Sequence, residues 1–99
     1  MNSEFMKAAL AEARSAARGG EVPVGAGIVK NGEIIARGRN RREEKQKALS
    51  HAETEAINAA CKYLGSWRLD GCEMYVTLEP CPMCAGAIIN ARISTLVFG

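Results

Sequence analysis

Residues 74–98 constrain the fold most: an alternating run, the motif Pro80-Cys81-Pro82-Met83-Cys84, a short apolar run and a β-branched run follow without a break. Met74, Val76 and Leu78 alternate, the period-2 pattern of a strand with one face turned inward. Pro82 suits the first turn of a helix that runs through Ala85-Gly86-Ala87-Ile88-Ile89 to about Asn90. Residues 93–98 read as a second strand. A strand–helix–strand unit this short implies a parallel pair joined by a right-handed crossover. Cys81 and Cys84 then sit where a strand ends and a helix begins. Free N–H groups and the helix dipole favour negative charge there, which lowers a thiol's pKa. Thiolates so placed bind a metal or do redox chemistry, and a structural role for the two cysteines stays open on these residues alone.

The chain before this unit supplies a helix, a hairpin and a second helix. Ser3 is a candidate cap, and Met6, Leu10, Ala13 and Ala17 form one apolar stripe that ends at Gly19-Gly20. Two apolar runs, 22–29 and 33–37, flank Asn31-Gly32, a strong hairpin signal. Pro23 belongs at the start of its strand, and Gly25 and Gly27 allow a close approach to the backbone. Residues 39–47 are charged and polar and read as a solvated loop with a possible phosphate-contacting role. A helix opens at Ser50-His51-Ala52-Glu53 and ends near Leu64-Gly65, followed by a connector in which Trp67 is expected to anchor packing. The expected layout is α-β-β-α-β-α-β, an α/β mixed sheet with covering helices.

Size and composition narrow the classes. Ninety-nine residues suffice for one small domain, residues 1–99. A net charge of +2 permits a nucleic-acid partner without demanding one. No apolar run is long enough to span a membrane, and the N-terminus lacks the basic-then-apolar order of a signal peptide. Four cysteines in such a chain read as reduced thiols in a cytoplasmic protein, with Cys61 and Cys72 as small core residues.

His51 is the only histidine. It can join Cys81 and Cys84 as a third zinc ligand and leave the fourth position for a water, whose pKa such a site lowers to about 7. Glu53 has two readings. Ser50-x-x-Glu53 is a capping box, in which the carboxylate bonds back to the Ser50 backbone. Yet Glu53, Ile57, Ala60 and Leu64 share the apolar stripe, and a core-facing carboxylate, costly to keep ionised, suits a proton shuttle. His51 and Glu53 point about 200° apart on a regular helix. They converge on one ion only if it lies off the helix's N-terminal end, so two helix N-termini are expected to meet at the metal. A Cys-x-x-Cys thiol oxidoreductase, or a structural zinc module with Cys61 or Cys72 as fourth ligand, are the competing classes.

His-x-Glu followed by Pro-Cys-x-x-Cys is the known signature of zinc-dependent base deaminases. The runs Glu21-Val22-Pro23-Val24-Gly25-Ala26, Gly38-Arg39-Asn40-Arg41, His51-Ala52-Glu53, Leu64-Gly65-Ser66-Trp67-Arg68-Leu69 and Tyr75-Val76-Thr77-Leu78-Glu79-Pro80-Cys81-Pro82-Met83-Cys84-Ala85-Gly86-Ala87 extend it over nearly all of the chain. Together they resemble the bacterial tRNA-specific adenosine deaminases of the cytidine deaminase superfamily. The resemblance implies a three-layer cytidine-deaminase-like fold, zinc (Zn2+) held by His51, Cys81 and Cys84, and Glu53 as proton shuttle. It implies a pocket in which Asn40, Ala52 and Val24 meet the substrate, a homodimer, and adenosine-to-inosine conversion in the tRNA anticodon loop. Deamination of a small nucleobase, guanine or cytosine, is the alternative within the superfamily. The family continues past Gly99 with another strand and helices. The chain therefore reads as the core of that fold, expected to be inactive on tRNA and prone to associate.

Overall fold

The computed structural model describes residues 3–99. The elements are α1 (Ser3–Arg18), β1 (Gly25–Lys30), β2 (Glu33–Arg39), α2 (Arg42–Lys45), α3 (Ala52–Leu64), β3 (Cys72–Val76), α4 (Pro82–Asn90) and β4 (Thr95–Phe98). The strands form one sheet in the order β2-β1-β3-β4, with β1 antiparallel to both neighbours and β4 parallel to β3. The mixed sheet and the parallel β3–α4–β4 unit are those expected from the pattern. Asn31 and Gly32 take φ of 53° and 80°, the two positive angles that a tight two-residue hairpin turn needs.

Strand alternation divides the core in two. Ala26, Ile28, Met74 and Val76 face α3 and α4, meeting Ala52, Ala56, Ile57, Ala60 and Ile88. Val29 and Tyr75 face α1, where Phe5 meets Tyr75 edge-on with ring centroids 5.4 Å apart. The sheet thus lies between two helical layers.

Two glycines set the distance of those layers. A Cβ on Gly25 would stand 2.0 Å from the Ala9 carbonyl oxygen on α1. One on Gly38 would stand 2.3 Å from the Ala52 carbonyl oxygen and 2.5 Å from the Ala56 nitrogen on α3. The expected close approach therefore holds at Gly25, while Gly27 faces only the Ala36 carbonyl at 4.0 Å. Gly38, within β2, has the role expected of Gly27.

Other expectations are corrected. The buried stripe of α1 is Phe5, Ala9, Ala13 and Ala16, with Leu10 exposed. Phe5 is the bulky residue that reaches Tyr75 on the buried face, and Leu10 lies off that face. Ser3 is the first helical residue, so the cap position falls outside the described residues. The 39–47 loop contains the single-turn helix α2, which adds an element to the layout. β3 ends at Val76, so Leu78 is not on its inward face but is 58% exposed. Trp67 is 59% exposed rather than a packing anchor, with the Arg68 and Arg92 guanidinium groups 5.3 and 5.7 Å from its ring centroid.

Candidate metal centre and adjoining pocket

His51 is the N-cap of α3 and Cys81 the N-cap of α4, both with extended backbone. Pro82 fills the first helical position of α4, and Cys84 follows two residues later in the same turn. The two helix starts come together beyond the C-terminal end of β3. The His51 Nδ1 atom lies 3.7 Å from the Cys81 Sγ and 3.5 Å from the Cys84 Sγ. All three donor atoms fall within 4.8 Å of one another. Zinc–nitrogen and zinc–sulfur bonds of about 2.0 and 2.3 Å at a tetrahedral angle place N and S roughly 3.5 Å apart. The donors therefore match a zinc ion in kind and spacing, with one position left for a non-protein ligand.

The start of α3 explains why Glu53 is free for chemistry. The His51 N–H donates to the Thr54 Oγ1 at 3.1 Å, and the Thr54 hydroxyl bonds back to the Leu49 carbonyl. Thr54 thus serves the cap, and the capping-box role for Glu53 is not used. Glu53 is 4% exposed and lies beside the Cys84 thiol on the pocket wall. Burial pushes the Cys84 thiol well above the usual range, and the nearby Glu53 carboxylate and Cys81 push it the same way. The helix N-terminus was expected to lower it; loss of solvation raises it instead. A cation between the donors reverses that balance, because a coordinated thiol gives up its proton.

Beside the donors opens a cleft of about 160 Å³. Val22, Val24, Asn40, Arg42, Ala52, Leu78 and Glu79 line it together with His51, Glu53 and Cys81. The three residues expected to meet a substrate, Asn40, Ala52 and Val24, all lie on this wall. Asn40 is 6% exposed; its N–H donates to the Val24 carbonyl at 3.2 Å and its Nδ2 to the Val22 carbonyl at 3.5 Å. Its Oδ1 has no partner among the described residues, and a buried acceptor left unpaired is costly unless a ligand completes it.

Sequence reasoning missed Val22, Leu78, Arg42 and Gly38. Val22 and Leu78 were read as strand residues, but both lie outside β1 and β3 and present apolar surface to the cleft. Gly38 had a usable signal, a glycine within a strand pattern, and its missing side chain lets the first turn of α3 rest on β2. Cys61 and Cys72 stand apart from the donors. Cys72 begins β3, roughly 13 Å of strand before its end, and among the described residues neither it nor Cys61 joins the donor group, so the structural-zinc alternative lacks a cysteine as its fourth ligand.

The family model of the MafB19-like deaminases matches residues 1–99. The chain belongs to that deaminase family. The deaminase chain is 57% identical over 95 residues to the tRNA-specific adenosine deaminase of Bacillus subtilis (strain 168), covering 96% of this chain and 59% of that protein. It is 52% identical over 94 residues to the tRNA-specific adenosine deaminase of Aquifex aeolicus (strain VF5), covering 95% of this chain and 62% of that one. Among solved structures, it superposes on a tRNA:A34 deaminase of A-to-I editing with a TM-score of 0.97 and 51% identity, over 99% of this chain and 71% of the other. It superposes on the guanine deaminase of Bacillus subtilis with a TM-score of 0.96 and 44% identity, over 100% of this chain and 64% of the other. The chain thus spans about three fifths of the length of these curated relatives.

Proposed function

We propose that residues 1–99 form the zinc-dependent core of a deaminase that hydrolyses adenosine to inosine in a tRNA anticodon loop. The observation that carries this reading is the convergence of His51, Cys81 and Cys84 with the buried Glu53 on a cleft walled by an unpartnered Asn40 acceptor. His51, Cys81 and Cys84 would hold the zinc. Zinc in such a site supplies a Lewis acid that makes a water acidic near neutral pH.

The chain's own groups do the rest. Val22, Val24 and Leu78 give the cleft apolar walls on which a flat ring can lie, excluding water from its faces. The Asn40 Oδ1 accepts a hydrogen bond from the substrate and fixes its rotation. Glu53 takes the proton that the attacking water gives up and places it on a ring nitrogen. With the water oxygen now bonded to the amino-bearing ring carbon, Glu53 takes the hydroxyl's remaining proton and passes it to the amine, which leaves as ammonia as the C–N bond breaks and the oxygen becomes a carbonyl. Such positioned proton transfer contributes about 10²–10⁴ in rate. The thiol oxidoreductase reading leaves His51 and Glu53 without work.

The similarity to tRNA-specific adenosine deaminases supports the tRNA substrate. A homodimer acting in the cytoplasm, as the family resemblance implies, belongs to the same proposal. All four cysteines are free thiols, in keeping with a reducing compartment. No helix among the described residues is long and apolar enough to cross a membrane. A small-base deaminase is the second reading, favoured by the guanine deaminase likeness.

Assaying a zinc-loaded version extended past Gly99 on an anticodon stem-loop, free guanine and free cytosine decides between them. Inosine in the stem-loop with little turnover of free bases is the expected result. Turnover of free guanine or cytosine alone would overturn it. Absence of bound zinc, with a reversible Cys81–Cys84 disulfide, would favour the redox class.

A further inference from the structure

Residues 39–47 carry seven charged side chains beside the cleft, and the fold neutralises most of them from within. Arg39 lies 3.8 Å from Glu12 and 3.9 Å from Glu44, and Arg41 lies 3.9 Å from Glu44. Lys45 pairs with Glu55 at 2.9 Å. Arg42 forms no ion pair among the described residues, yet it alone of these cations lines the cleft. Glu79 lines the same cleft, so any attraction for an anion there is set by Arg42.

The placement of Arg42 is built rather than incidental. Glu21 is buried, and its two carboxylate oxygens accept the backbone N–H groups of Glu43 at 3.1 Å and Glu44 at 2.7 Å. A carboxylate from the chain before β1 thus satisfies the open donors of the turn that Arg42 begins. The same segment is tied on both sides, by the Asn40 N–H to Val24 and the Arg41 N–H to the Ser50 carbonyl at 2.9 Å. A solvated loop needs no buried carboxylate to hold it, since water would satisfy the same donors.

We propose that Arg42 contacts the phosphate flanking the reacting nucleoside, making the site selective for a base carried on a polynucleotide, and that Glu21 is its positioning residue. A guanidinium suits this task because its planar fork matches phosphate oxygens and stays charged at any working pH. The cleft takes the base; the exposed guanidinium at its wall reaches the backbone that a free base lacks. This inference rests on the deaminase reading and narrows its substrate class.

The test compares two probes that lack the leaving amine and so cannot turn over: free purine riboside, and an anticodon stem-loop with purine riboside at the wobble position. Affinities are measured on a zinc-loaded version extended past Gly99 over a range of salt concentrations. Arg42→Gln should lower the ratio of stem-loop to free-nucleoside affinity about tenfold or more. It should also reduce the slope of log affinity against log salt by about 0.7, the share of one single-strand phosphate. Arg42→Lys should restore the slope but only part of the affinity ratio, because the charge returns without the fork.

Glu21→Gln should lower the same ratio in the wild-type background and add little in the Arg42→Gln background, since both remove one contact. An unchanged ratio and slope in Arg42→Gln would overturn the proposal, and additive losses would overturn the role of Glu21. A protein that deaminates free bases but ignores the stem-loop would sink the proposal and leave the deaminase reading standing. One that binds the stem-loop through Arg42 but deaminates nothing would do the reverse.

Discussion

Gly25 and Gly38 do the same steric job on opposite faces of the sheet, with different consequences. Each removes a Cβ that would collide with a helix backbone, α1 over Gly25 and α3 over Gly38. Under α1 the close approach serves packing alone, bringing Phe5 onto Tyr75 and Val29. Under α3 it also sets the height of the turn that presents His51, Ala52 and Glu53 to the cleft. The lesson is that one backbone device serves stability at one place and the geometry of the chemistry at another.

The comparison breaks most sharply at Glu53, the residue that the α3 seat delivers. Glu53→Gln is expected to lower kcat by about 10²–10⁴ while zinc per chain stays the same, because the carboxylate moves protons and is not a ligand. Rate measurements with metal analysis on one preparation check this. Retained turnover would mean that the turn carries no catalytic group.

Gly38→Ala follows. The added methyl meets backbone atoms that cannot rotate aside, so stability should fall by about 1–3 kcal/mol. Lifting the first turn of α3 should also cost most of the bound zinc, read by metal analysis below the melting temperature. Gly25→Ala should cost a similar amount of stability in a thermal melt yet keep its zinc when folded. Equal zinc loss in both variants would erase the distinction between the two seats.

The smallest effect is expected at Thr54, which caps the same turn. Thr54→Val keeps the shape and removes the hydroxyl, costing about 1 kcal/mol with a modest weakening of zinc affinity. A loss as large as that of Gly38→Ala would show that the cap, rather than the glycine seat, holds His51.

Much of the site was legible before any fold. Cys81, Pro82 and Cys84 are neighbours, so their spacing and the proline's place in the first turn follow from local backbone geometry. The convergence of two helix N-termini was legible too, since His51 and Glu53 cannot share one helix face. The strand boundary at Val76 was not. Leu78 continues the alternation in the sequence, but the chain turns two residues earlier, where the Thr77 N–H donates to the Gly25 carbonyl at 3.0 Å and its hydroxyl accepts the Gly25 N–H at 3.2 Å.

By itself the amino-acid sequence determined the pattern of strands and helices, the donor set and its chemistry, and the deaminase family to which the chain belongs. The tertiary structure alone decided which glycine seats α3, that Thr54 rather than Glu53 serves the cap, and that Arg42 escapes the ion pairs of its neighbours. It alone showed that Glu21 reaches across to Glu43 and Glu44. The physical reason is range. Turn chemistry, capping and periodicity act over a few residues and are written in adjacent letters. A Cβ collision or a carboxylate accepting two distant N–H groups joins positions far apart in the chain, and exists only once the sheet has brought them together.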